Sequence, residues 1–149
     1  MKTIFKTLFV TLLLFSCGND DDNNNNQGDY NEICSDVVCT EEFVTLTITV
    51  TDSYGDPVAL DDITVTRLVG EGEVIFDEVP DTGDDGTYPI YDDRFVEESF
   101  SKAVEVNFKG YIDGNEVADE NFTFTADCCH VSMLSDDTVI VVDTDDGIN

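Results

Sequence analysis

The chain has 149 residues, and its 34 acidic side chains against six basic ones give a net charge of −28. Such a surface excludes nucleic acid as a partner, since neutralising phosphates needs a basic face, and an anionic bilayer would repel it. There is no tryptophan and no internal repeat, and about 118 residues remain for a folded body, enough for one domain with one core.

The first segment, Met1-Lys2-Thr3-Ile4-Phe5-Lys6, is short and basic, and Leu8 to Phe15 is an apolar run bounded by Ser16 and Cys17. That order is a secretory signal's. Eight or so apolar residues in helical form reach only about 12 Å, against a hydrocarbon core of roughly 30 Å, so residues 1–16 are expected to be cleaved and not to span a membrane. Leu14-Phe15-Ser16-Cys17 resembles the lipobox of bacterial lipoproteins, a resemblance that implies diacylglycerol on the Cys17 sulfur and Cys17 as the first mature residue. Removing the leader takes away Lys2 and Lys6, leaving Arg67, Arg94, Lys102 and Lys109 against the same carboxylates, a charge near −30.

Residues 17–31 form the next unit, an Asn- and Asp-rich stretch with almost nothing apolar to bury, expected to stay disordered as a tether with a root-mean-square reach of about 20 Å. Its acidic run Asp20-Asp21-Asp22 resembles the export signal that sends Bacteroidetes lipoproteins to the outer face of the outer membrane. That resemblance implies a lipid-anchored protein at the cell surface, with a periplasm-facing position as the alternative.

Residues 32–149 read as strands. From Phe43 to Thr51 the chain alternates Val44, Leu46, Ile48, Val50 with Thr45, Thr47, Thr49, Thr51, the pattern of a half-buried strand. Asp52-Ser53-Tyr54-Gly55-Asp56-Pro57 is a turn, after which Ile63 and Val65 resume the period of two. Shorter strands are expected at Val74–Val79 and Thr87–Tyr91, the latter at a sheet edge because Pro89 cannot donate to a ladder. Val104–Phe108 and Phe122–Ala126 form a hairpin through Asp113-Gly114, and a last pair follows at Val131–Leu134 and Thr138–Val142. Seven to eight short strands and no sustained helical period imply an all-β fold, a single antiparallel β-sandwich. Thr49-Val50-Thr51-Asp52 followed by Gly55-Asp56-Pro57-Val58 resembles the opening of immunoglobulin-like and transthyretin-like modules of Bacteroidetes surface proteins, and Asp127-Cys128-Cys129-His130-Val131 resembles the ending of small flavobacterial lipoproteins.

Four cysteines lie in the folded part: Cys34, Cys39, Cys128 and Cys129. In an exported protein an even set favours disulfides. Neighbouring α-carbons lie only about 3.8 Å apart, which disfavours a Cys128–Cys129 bridge, so Cys34 and Cys39 are expected to pair with Cys128 and Cys129 in either of two connectivities. The sharper alternative is a zinc site of these thiols with His130, but thiolates survive poorly in an oxidising compartment, and His130 is expected to be exposed and to carry no role.

No cofactor is implied apart from calcium, for which Asp81, Asp84, Asp85 and Asp92 supply hard oxygen ligands. Against an EF-hand loop Asp81, Asp85 and Gly86 match, whereas Gly83 stands where a ligand is needed and Asp92 where the final Glu belongs. No serine sits in a Gly-x-Ser-x-Gly setting, and carboxylates are too numerous here for a pair to be informative, so no enzyme is expected. The expected function is a non-enzymatic, membrane-anchored binding, adhesion or accessory module of the bacterial envelope, with a protein or glycan ligand. The alternatives are a carbohydrate-binding module, in which Tyr54, Tyr88, Tyr91 and Tyr111 would stack on sugar rings, and a calcium-stabilised subunit of an outer-membrane complex.

Overall fold

The computed structural model describes residues 29–80 and 85–143. The leader, Cys17 and most of the tether lie outside these residues. In chain order the elements are α1 (Tyr30–Cys34), β1 (Thr45–Thr51), β2 (Asp62–Arg67), β3 (Glu73–Phe76), β4 (Thr87–Asp92), a 3-10 turn (Asp93–Phe95), α2 (Val96–Ser99), β5 (Val104–Ile112), β6 (Asn115–Ala126), β7 (Val131–Met133) and β8 (Val139–Val141). The fold is an all-β sandwich: a three-stranded sheet ordered β4-β1-β8 packs on a five-stranded sheet ordered β3-β2-β5-β6-β7.

The period of two seen in the sequence decides which face of each strand is inside. On β1, Ile48 and Val50 are buried, and they meet Ile63 and Val65 of β2, Tyr88 and Ile90 of β4, and Val106 and Phe108 of β5 in one core. Asp113 and Gly114 both take positive φ, 51° and 75°, as the two central residues of a type I′ turn must, so Ile112 pairs with Asn115 and the longest hairpin closes. Pro89 lies on β4, which is an edge strand as its missing donor required.

Three expectations change. The segments Val131–Leu134 and Thr138–Val142 do not pair with each other: β7 joins β6, while β8 crosses to the other sheet and lies parallel to β1, with Val50 opposite Ile140. The crossing is fixed at both ends, by the Leu134 amide donating to the Thr123 carbonyl at 2.7 Å and the Thr49 amide donating to the Thr138 carbonyl at 2.8 Å. Two short helices had no periodic signal, since four or five residues are too few to display one. The ordered body begins before residue 32: Asp29 caps α1, and Tyr30 packs edge-on against Phe100 with ring centres 5.4 Å apart.

Candidate functional site

The end of the sandwich at which β1 begins and β4 and β6 finish is closed by two disulfides. Cys34 is bonded to Cys128 and Cys39 to Cys129, spans of 94 and 90 residues, which settles the connectivity and tethers the whole segment before β1 to the turn after β6. The Tyr30 hydroxyl adds a hydrogen bond to the Cys128 carbonyl at 3.1 Å. With all four sulfurs in disulfides, none is left to join His130 around zinc.

Beside the bridges lies a polar knot. Asp127 folds the turn by accepting from the amides of Cys129 and His130 at 2.7 and 2.9 Å, which aims the His130 ring back at β4. There Nδ1 meets Asp93 Oδ2 at 2.8 Å, and Nε2 lies 3.2 Å from Thr40 Oγ1. Asp93 also accepts from the Val44 amide at 2.8 Å and the Val131 amide at 3.0 Å, so one carboxylate joins the starts of β1 and β7. His130 is therefore half-buried and doubly partnered, contrary to the exposed residue expected, because it precedes β7 in the turn and strand alternation does not govern it.

The hydrogen bond to Asp93 raises the His130 pKa above its usual 6.5, with the charges of Asp93, Asp127 and Glu42 adding to the effect. Burial by itself would raise the Asp93 carboxyl, but hydrogen bonds from Val44, His130 and Val131 outweigh it and hold it below the usual carboxylate range. Amides of His130 and Cys129 lower Asp127 likewise. The order Asp93–His130–Thr40 has the partners of an acid–base–hydroxyl relay. Asp93 on Nδ1 and Thr40 on Nε2 tie the ring to the end of β4 and to the segment before β1. The arrangement is suited to latching three segments together.

A second candidate is the open side of the sandwich beyond β8. A groove of about 440 Å³ runs between β8 and β6, with Glu120 and Phe122 on one wall, Asp136 and Asp137 at its end, and Val139 and Val141 on the other wall. Val139 and Val141 are 52% and 64% exposed, while Ile140 and Val142 face the core.

The opposite open side is filled. Phe95 is flanked by the guanidinium groups of Arg67 and Arg94, 5.1 and 5.4 Å from its ring centre, and is stacked on Tyr91, whose ring stacks in turn on Phe124. Arg67 is nearly buried and pairs with Glu73 and Glu98, and Arg94 grips Asp92 at 2.9 Å through both carboxylate oxygens. Two of the four cations of the folded part thus close this side of the sandwich.

The other expected ligands do not converge. Asp81 and Asp84 lie outside the described residues; Asp85 and Asp92 stand at opposite ends of β4, about 20 Å apart along an extended strand, so one calcium ion cannot take both. Asp85 accepts from the Thr87 amide, and Asp92 is committed to Arg94. Among the described residues no group of three His, Cys, Asp or Glu side chains is placed to hold a metal. Of the tyrosines expected to stack on sugars, Tyr88 and Tyr91 are fully buried, Tyr111 is half-buried and Tyr54 is exposed at a turn. The buried pair are core residues because both face inward on β4.

Sequence reasoning missed both Thr40, for which there was no local signal, and Asp93 as partners of His130. A signal for Asp93 existed in principle: an aspartate directly after a strand and before Arg94-Phe95 is placed to bond backbone amides. Compared with known proteins, the chain matches no family model, no curated protein and no solved structure.

Proposed function

We propose that the protein is a non-enzymatic, lipid-anchored module of the bacterial envelope that holds a β-sandwich off the outer membrane for a partner to bind. The observation that carries this is the position of the disulfides. They clamp residues 34 and 39, just after the Asn- and Asp-rich stretch, to the end of β6, so an anchor at Cys17 would hold the domain by its stapled end. β6 is twelve residues long, about 36 Å, and its far end would point away from the bilayer. Pull transmitted through the tether would then act on covalent bridges and not on β1. The acidic surface supports the same reading, because it keeps the body standing off an anionic membrane while the acyl chains keep it there.

The test is metabolic labelling with palmitate, together with antibody labelling of intact and permeabilised cells. Label on the wild type that is lost in Cys17→Ala, with equal antibody signal before and after permeabilisation, is the expected result. Label that survives Cys17→Ala would remove the anchor and with it this reading, and signal only after permeabilisation would place the module on the periplasmic side.

A further inference from the structure

The groove beside β8 has an unusual combination of properties for the edge of a sheet. β8 pairs with β1 through one side only, and the strand order ends there. The parallel register directs the amide and carbonyl of Ile140 at β1, with Thr138 and Val142 making the flanking bonds, so the backbone groups of Val139 and Val141 face outward. Among the described residues no strand covers them. Proteins protect such edges with charge, proline or a bulge, and the opposite edge strand, β4, has Pro89. β8 is only three residues long but has no proline, bulge or charged side chain of its own, and it offers two exposed valines.

Charge says what could lie there. Glu120 has the core-facing parity of Phe122 and Phe124 on β6 but emerges at the open side, and Asp136 and Asp137 stand at the groove's end. Among the described residues no cation answers them: Arg67 and Arg94 close the other side, Lys109 pairs with Glu116 and Asp119, and Lys102 lies by Arg67. A second copy of a chain this acidic would bring like charge to like charge.

We propose that the free edge of β8 takes an extended segment of a partner protein, with basic side chains alternating with β-branched ones, as a fourth strand of the small sheet. Main-chain bonds to Val139 and Val141 supply the pairing; one face of the added strand lies with the exposed valines, and the other presents cations to Glu120, Asp136 and Asp137. This deepens the partner-binding reading by naming the binding edge and the chemistry of the partner.

The probe is a labelled peptide of eight residues alternating Lys and Val, titrated against the purified full chain, with hydrogen exchange followed in the same samples. Val141→Pro removes an outward donor without touching the bonds to β1, and the pair Asp136→Lys and Asp137→Lys reverses charge on exposed side chains. Binding that falls at least tenfold in each variant, with slowed exchange at the Val139 and Val141 amides of the wild type, is the expected outcome. Equal binding of an equally charged peptide interrupted by prolines, or no protection of those two amides, would show adhesion by charge alone and overturn it. A concentration-dependent dimer that protects the same amides without peptide would overturn it in favour of self-pairing. If Val141→Pro does not fold, the charge-reversed pair and the exchange data still decide. Palmitate labelling is independent of all of these, so loss of the anchor reading and loss of the edge proposal are separate results.

Discussion

Tyr88 shows how one atom can hold two segments. Its hydroxyl donates to the Val58 carbonyl at 3.0 Å and accepts from the Leu60 amide at 2.7 Å, inside the core, so it pins the loop between β1 and β2. Tyr88→Phe keeps the ring but leaves that amide and carbonyl without this partner, and a loss of about 1 to 3 kcal/mol in urea unfolding is expected. His130 makes a different prediction. Its folded pKa is raised, so its contribution to stability is complete below about 6.5 and is lost as pH rises through the folded value. Asp93 and Asp127, both lowered, contribute above about 3.9 and lose that contribution as pH falls through their folded values. The wild type minus His130→Gln difference in unfolding free energy should therefore be largest in mildly acidic buffer and shrink on the alkaline side; a difference that grows with pH would reverse the assignment. Neither residue's role was readable from the chain: Tyr88 could be placed on a strand by alternation, but its partners lie 28 and 30 residues away.

At the scale of elements, backbone conformation sets the tolerances. Gly86 has φ of +73°, its carbonyl accepts from the Val50 amide at 2.8 Å, and a Cβ there would stand 2.7 Å from the Val50 carbonyl oxygen. Gly86→Ala should cost about 2 kcal/mol or more, since the left-handed conformation and the clash add, and the midpoint of thermal unfolding reports it. Strand positions were legible because burial on one face imposes a period of two, and the Asp113-Gly114 turn because only a few residue types accept positive φ. The destination of β8 was not. Val139, Ile140 and Val141 are all apolar and suit either sheet, and the choice depends on where Leu134 to Thr138 can carry the chain.

For the whole molecule, two terms oppose each other. Each disulfide closes a loop of about 90 residues, and removing one as the Cys39→Ala and Cys129→Ala pair should lower stability by about 2 to 5 kcal/mol, measured by urea unfolding under non-reducing conditions. Against this, a net charge of −28 repels itself, and only two of the four cations among the described residues, Arg67 and Arg94, stack on aromatic rings inside the fold. Raising monovalent salt from about 0.01 to 0.15 M shortens the screening length from about 30 to 8 Å, so the melting temperature should rise; a fall would mean that the few ion pairs outweigh the repulsion. By itself the sequence determined the all-β sandwich, the acidic surface and the set of cysteines that bridge, because these follow from composition and from patterns a few residues long. Only the tertiary structure decided which cysteine meets which, that Asp93, His130 and Thr40 converge, and that β8 lies parallel to β1 with a bare edge. Those are meetings between segments up to about 90 residues apart, and they depend on how two sheets stack, which no local pattern encodes.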